Sequence, residues 1–300
     1  MKFATRALLE GRGAVSRTRQ IGSSPQNWKF YSSTPSESRP PFNAAPSFNL
    51  TRSPNPQWKA GEGLPEVGVG ARQWKEDEQQ GWSTWNVDEM ESRDIYKVLT
   101  SAITPRPIAF ISSLSASGVP NLAPFSYFSM VSHNPPMVSV SFALSPKRPK
   151  DTRENIEATR EFVVNIISEP FAEAANVCSV EAPASVDEWT ISGLTREPSV
   201  TVRPPRVKES AVSLECELFQ MFDIKPKNSE TTTASVALGY IKTIHIRNAV
   251  LTQDGVVDPG KLRAISRLGG TMYARVGEGF EIPRPSWRAM KDEAERMSGN

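Results

Sequence analysis

Histidine and cysteine are nearly missing from this 300-residue chain, which has two of each. Cys178 and Cys216 stand apart, without C-x-x-C spacing. Such a pair offers no disulfide framework, and both thiols read as small buried hydrophobes in a reducing compartment. His133 and His245 are also distant, and no acidic pattern accompanies them, so a protein metal site is not expected. Excess charge of one sign is missing as well. The formal net charge of +2 is no nucleic-acid signature. No apolar run reaches the ~18 residues of a membrane span. Arg6, Glu10 and Arg12 break any secretory apolar core.

What charge there is lies unevenly. Residues 1–33 carry Lys2, Arg6, Arg12, Arg17, Arg19 and Lys29 against Glu10, a net of +5 that leaves −3 for the rest. Phe3, Ala4, Ala7 and Leu8 share one helical face, with Lys2 and Arg6 opposite. That composition predicts a mitochondrial transit peptide over 1–31, cut after Tyr31, and a matrix location. Residues 32–90 read as a linker or a wrapping segment, its prolines preventing regular structure. Trp58, Trp74, Trp82 and Trp85 either dock on the folded part or have no function there. Gly61, Gly63, Gly68 and Gly70 suggest a dinucleotide fingerprint, which is rejected because no strand precedes and no helix follows. One domain is expected over 91–283, large enough for a sizeable core, with a charged tail at 284–300.

Within the domain, 92–102 reads as a helix with Ile95, Leu99 and Tyr96 inward. Strands are expected at 108–113, 137–144, 162–167, 213–224 and 235–247, with an extended segment at 121–130. Short helices fit 151–160 and 171–180. Trp189, in the polar loop 181–205, is either a lid element or the anchor of its loop. On the last strand Val236, Leu238, Tyr240, Ile244 and Ile246 alternate. These runs, six or more antiparallel-type strands with a few short helices, predict a mainly β fold, a Greek-key or split barrel rather than a parallel sheet, behind a disordered leader.

The most informative stretch is 139–156, SVSFALSPKRPKDTRENI. It begins as a strand with Val140, Phe142 and Leu144 on one face and Ser139, Ser141, Ala143 and Ser145 on the other. It ends as a helix, with Asp151 and Glu154 reading as an acidic capping box. Between them lie Ser145, Lys147, Arg148, Lys150 and Thr152. Hydroxyls and cations thus gather where a helix N-terminus offers unpaired N–H groups, as a phosphate seat requires.

Four motifs in order resemble the flavin reductase-like FMN-binding split-barrel family. They are Thr104-Pro105-Arg106-Pro107-Ile108-Ala109-Phe110, Asn121-Leu122-Ala123-Pro124-Phe125-Ser126, Arg148-Pro149-Lys150-Asp151-Thr152 with Asn155-Ile156, and Arg267-Leu268-Gly269-Gly270 with Tyr273. The resemblance spans about 93–275. It implies a six-stranded antiparallel Greek-key split barrel, a homodimer binding FMN near the subunit interface, with NADH or NADPH as reductant. It implies phosphate contacts from Ser145, Lys150, Asp151 and Thr152, with Asp151 capping the helix. Arg148 is either an added phosphate ligand or a solvated charge. Asn121, Ala123, Pro124, Phe125 and Ser126 would meet the isoalloxazine edge, and Ser139 and Ser141 the ribityl chain. One of Tyr127 and Phe128 would touch flavin and the other fill the core. Arg267 and Tyr273 reach flavin or stabilise the dimer. His245 is a hydrogen-bonded wall residue or a contact to nicotinamide. No protein nucleophile is required, because the flavin carries the chemistry. The alternative is a flavin-binding electron-transfer or assembly partner without its own turnover.

Overall fold

The computed structural model describes residues 39–44, 48–65, 68–145, 150–183 and 186–299. The transit segment 1–31 and Arg148 lie outside them. The chain forms two compact units, 53–96 with 283–299, and 39–52 with 97–282. In chain order the elements begin β1 (Asn49–Thr51), α1 (Val69–Glu78), α2 (Ser92–Ala102), β2 (Ala109–Leu114), β3 (Pro120–Phe125), β4 (Phe128–His133), β5 (Pro136–Ala143), α3 (Asp151–Thr159) and β6 (Glu161–Ile166). They continue α4 (Ala172–Val177), α5 (Glu188–Ser192), β7 (Arg196–Glu197), β8 (Arg206–Val207), β9 (Val212–Ile224) and β10 (Ala234–Ile246). The last are α6 (Pro259–Leu262), β11 (Ile265–Arg267), β12 (Tyr273–Arg275), β13 (Glu278–Phe280) and α7 (Trp287–Ser298).

The smaller unit corrects one expectation. Its prolines do not prevent regular structure, because α1 fits between Gly68 and Gln79 where proline is absent. A helix therefore does follow the glycines. The fingerprint still fails, since the strand before them, β1, ends back at Thr51. In α2 the expected inward face is only partly right. Ile95 is half-buried, but Tyr96 and Leu99 are exposed and Thr100 is buried instead.

The larger unit holds the main sheet, in the order β3-β2-β6-β9-β10-β5-β4, with antiparallel neighbours throughout. It has seven strands, one more than expected. The extended segment 121–130 is interrupted at Ser126 and Tyr127, so it supplies two strands, and these form the sheet's two edges. One face encloses Ile111, Val140, Phe142, Ile156, Phe162, Val164 and Cys216. The other packs Phe110 and Leu122 against Phe171, Trp189 and Val207. Burying each large side chain contributes about 1.5–3 kcal/mol. Trp189 is therefore the anchor of its loop, not an exposed lid.

β10 turns the opposite way from its apolar pattern. Ser235, Ala237 and Gly239 are buried, while Val236, Leu238 and Tyr240 are only half-buried on the outer face. The interior is already filled by Phe142, Phe162 and Leu218, so β10 contributes small residues there. The space is tightest at Gly239, where a Cβ would lie 2.3 Å from Phe162 Cζ. Overpacking of this kind costs about 1–3 kcal/mol. Gly239→Ala should lower the melting temperature, and adding Phe162→Leu should recover part of the loss. An unchanged melting temperature in the single variant would refute this packing.

Candidate functional site

The phosphate end is built on α3. Lys150 is its N-cap, in an extended conformation and without a side-chain capping bond. Asp151 is the first helical residue, so the capping box expected over Asp151 and Glu154 does not form. The first turn closes instead through the Glu154 N–H on the Lys150 carbonyl at 3.1 Å. The N–H groups of Asp151, Thr152 and Arg153 lack intrahelical acceptors by geometry, and they carry the positive end of the helix dipole.

Buried polar pairs fix this terminus. Thr152 is 2% exposed, and its Oγ1 accepts a 2.8 Å bond from Asn121 Nδ2. Asn155 Nδ2 donates to Ser113 Oγ at 3.1 Å. Arg153 reaches Asp223 at 3.2 Å and Ser235 at 3.3 Å, pinning α3 to β9 and β10. The Thr152 hydroxyl is thus engaged with β3.

A cavity of about 300 Å³ beside the terminus is lined by Ser115, Asn121, Asp151, Asn155 and Glu188, and the half-buried Lys150 is not part of that lining. Burial raises the Glu188 pKa above its ordinary value, and the charges of Asp151 and Asp187 add to the rise. Bonds from backbone N–H groups oppose it, including that of Leu122, whose distance to Oε2 is 3.4 Å. Two carboxylates in that lining disfavour an anion there.

From Asn121 the edge strand β3 leads away to Phe125, about 13 Å at the rise of a strand. Its register places Asn121, Ala123 and Phe125 opposite Ser113, Ile111 and Ala109, facing the interior. Phe125 meets Phe142 edge-to-face at a 4.8 Å centroid distance, so its ring is a core element. Pro124 lies opposite Phe110 on the other face. As an edge residue it removes no needed donor. Ser126 is half-buried. Tyr127 is exposed, and its carbonyl accepts from the Ser141 N–H at 2.8 Å, whereas Phe128 packs on the core. Ser139 and Ser141 sit half-buried on the outer face of β5, opposite Leu238 and Val236. Ser145 is exposed just beyond that strand.

Arg267 and Tyr273 stand at the Phe125 end. Arg267 bridges to Arg106, three residues before the partner of Phe125. Its guanidinium stacks on the Tyr273 ring at 4.5 Å, and the Tyr273 hydroxyl donates to Asn176 Oδ1 at 2.7 Å. His245 lies apart from all of these. Its Nε2 meets Glu215 Oε1 at 2.6 Å, which is the wall-residue arrangement.

Residues 101–266 match the family described as "Flavin reductase like domain". An uncharacterized protein of Halalkalibacterium halodurans is 37% identical over 202 residues, 67% of this chain and 96% of its own. Nitrilotriacetate monooxygenase component B from Bacillus cereus superposes with a TM-score of 0.65 at 34% identity, covering 67% of this chain and 99% of that one. A Shewanella frigidimarina protein with a split barrel domain gives a TM-score of 0.56 at 21% identity over 67% and 95% of the two chains, a likeness of fold. The chain belongs to the flavin reductase-like family. It is an oxidoreductase with the split-barrel architecture of that family.

Within this flavin reductase-like chain, sequence reasoning missed two buried acids. Glu188 had a signal in Asp187, which caps α5 by accepting from the Trp189 N–H. Glu215 had one in its position inside the apolar strand run Leu214-Glu215-Cys216. Its carboxylate is fully buried and accepts from the N–H groups of Val200, Thr201 and Val202 and from Thr201 Oγ1. Both thiols are buried as expected, and burial pushes that of Cys178 up to about 11. Among the described residues no cluster of His, Cys, Asp and Glu is suited to a metal ion.

Proposed function

We propose that the chain is an NAD(P)H:flavin reductase whose flavin is FMN. The observation that carries this reading is the N-terminus of α3, where the N-cap Lys150 makes no side-chain capping bond and Thr152 is held to one end of the edge strand β3. The donor set fits a phosphomonoester, because the helix dipole and the first backbone N–H groups of α3 stand next to Lys150, whose side chain makes no capping bond. Lys150 and the N–H groups of 151–153 would hold the phosphate. Arg153, through Asp223 and Ser235, keeps that terminus in place. Ser139 and Ser141 leave a small, hydroxyl-bearing surface for a polyol chain, and Tyr127 and Ser126 border the far end. Bound FMN supplies the hydride acceptor, while the protein binds, orients and screens it.

The same reading includes a two-fold dimer. The outer sheet face presents Val236 and Leu238 beside Phe222, which is 44% exposed in the single chain. A second copy would cover this apolar surface next to Ser139 and Ser141. Purified protein should bind FMN, sediment as a dimer favoured by FMN, and oxidise NADH or NADPH when FMN is added. Absence of a flavin spectrum after FMN loading would overturn the reading.

The kinship with a monooxygenase component supports a second reading, a flavin-carrying partner of another protein. Flavin binding without nicotinamide oxidation would select it. We also propose import into the mitochondrial matrix from the basic segment 1–31. N-terminal sequencing of the native protein should then begin near Ser32, and an intact Met1 would refute it.

A further inference from the structure

Another cavity lies away from the flavin seat. It has a volume of about 500 Å³ and is lined by Arg206, Lys208 and Arg247, with Glu197, His245 and Ile244 among its other walls. It opens at the end of β10 that runs on beyond β5, whose pairing stops at Tyr240. His245 is seven residues along that strand from Leu238, the partner of Ser139, or about 20 Å away at the rise of a strand.

Its chemistry is one-sided. Its lining carries three basic residues and one carboxylate, Glu197, which lies 4.0 Å from Arg206. Arg206 also donates to the Pro198 carbonyl at 3.1 Å, and Arg247 donates to the Lys208 carbonyl. These bonds fix two guanidinium groups, that of Arg247 on the Lys208 backbone. Glu215 is buried behind His245 and is already saturated by donors from 200–202. An ionised Glu215 requires its partner Nε2 to carry the proton. Ile244, 55% exposed, adds an apolar wall. A volume of this size is that of a small-molecule site.

We propose that this cavity is a second ligand site, separate from the flavin seat, for an organic oxyanion with a compact apolar or aromatic body. Arg206, Lys208 and Arg247 supply the charge recognition, and Ile244 packs against the body. The oxyanion belongs either to a free carboxylate or to the phosphates of a nicotinamide nucleotide.

Calorimetric titration of the full chain without flavin tests this, using benzoate and NADP⁺ as separate probes. At least one should bind. Lys208→Gln combined with Arg247→Gln should weaken that probe by about tenfold, as expected for lost charge-assisted contacts, with FMN affinity unchanged. Lys208→Arg combined with Arg247→Lys should retain most of the affinity. Binding of benzoate alone assigns a free carboxylate, and binding of NADP⁺ alone assigns the nucleotide phosphates. Failure of both probes to bind overturns the proposal. So does equal affinity in the wild type and the charge-removed variant.

Discussion

Lys150→Ala is expected to weaken FMN binding about ten- to a hundredfold, because a hydrogen bond to a charged group contributes ~1.5–3 kcal/mol. Riboflavin, which lacks the phosphate, should bind almost as before. The contrast is decisive because Lys150 is the cap of α3 without being its capping side chain. Its removal deletes a cation and leaves the helix start intact. Asp151 and Glu188 cannot substitute, since their charges repel the phosphate. Fluorescence titration with both flavins checks the result. An equal loss for FMN and riboflavin would remove phosphate from this helix terminus.

The largest effect on stability is expected at Glu215. Burial by itself raises its pKa, but bonds from the Thr201 hydroxyl, the Val200 and Thr201 N–H groups and His245 outweigh burial and hold it at about 2. The folded-state value is depressed below the ordinary 4.5. The carboxylate therefore contributes its full stabilisation above about pH 4.5, and this is lost as pH falls toward 2. Each tenfold change in an acidity constant corresponds to ~1.4 kcal/mol, which makes that contribution about 3 kcal/mol. Glu215→Gln places an amide against donors that need an acceptor, and breaking such a buried set costs about 3–5 kcal/mol. For a domain of roughly 200 residues this lowers the melting temperature by about 10 °C at neutral pH. The difference between wild type and variant should shrink on acidification through the same window. A constant difference from pH 7 to pH 2 would show that the carboxylate charge is not what the bonds hold.

Much of the fold was written locally. Strand alternation in 137–144 and the cation-rich passage into the helix at 151 follow from side chains next to one another in sequence. So does the helix 92–102. The order of four short motifs was enough to suggest the family. Local pattern was less informative wherever two distant segments compete for one space. The apolar residues of β10 look like a core stripe, yet the Phe162 ring occupies that side and turns Val236 and Leu238 outward. The capping box at Asp151 has the right spacing, but it failed because the helix begins with Asp151 already inside it.

The positions of most strands and helices, and the place of Lys150 at a helix start, were therefore legible in the chain as written. Those properties depend on spacing and composition among near neighbours. Which residues share a site was settled only by folding. Asn121 reaches Thr152, Glu188 reaches Leu122, and Glu215 holds both His245 and the loop 200–202, across separations of 13 to 66 residues. A buried polar group takes whatever partner the packed chain brings within about 3 Å, and that partner has no signature in local sequence.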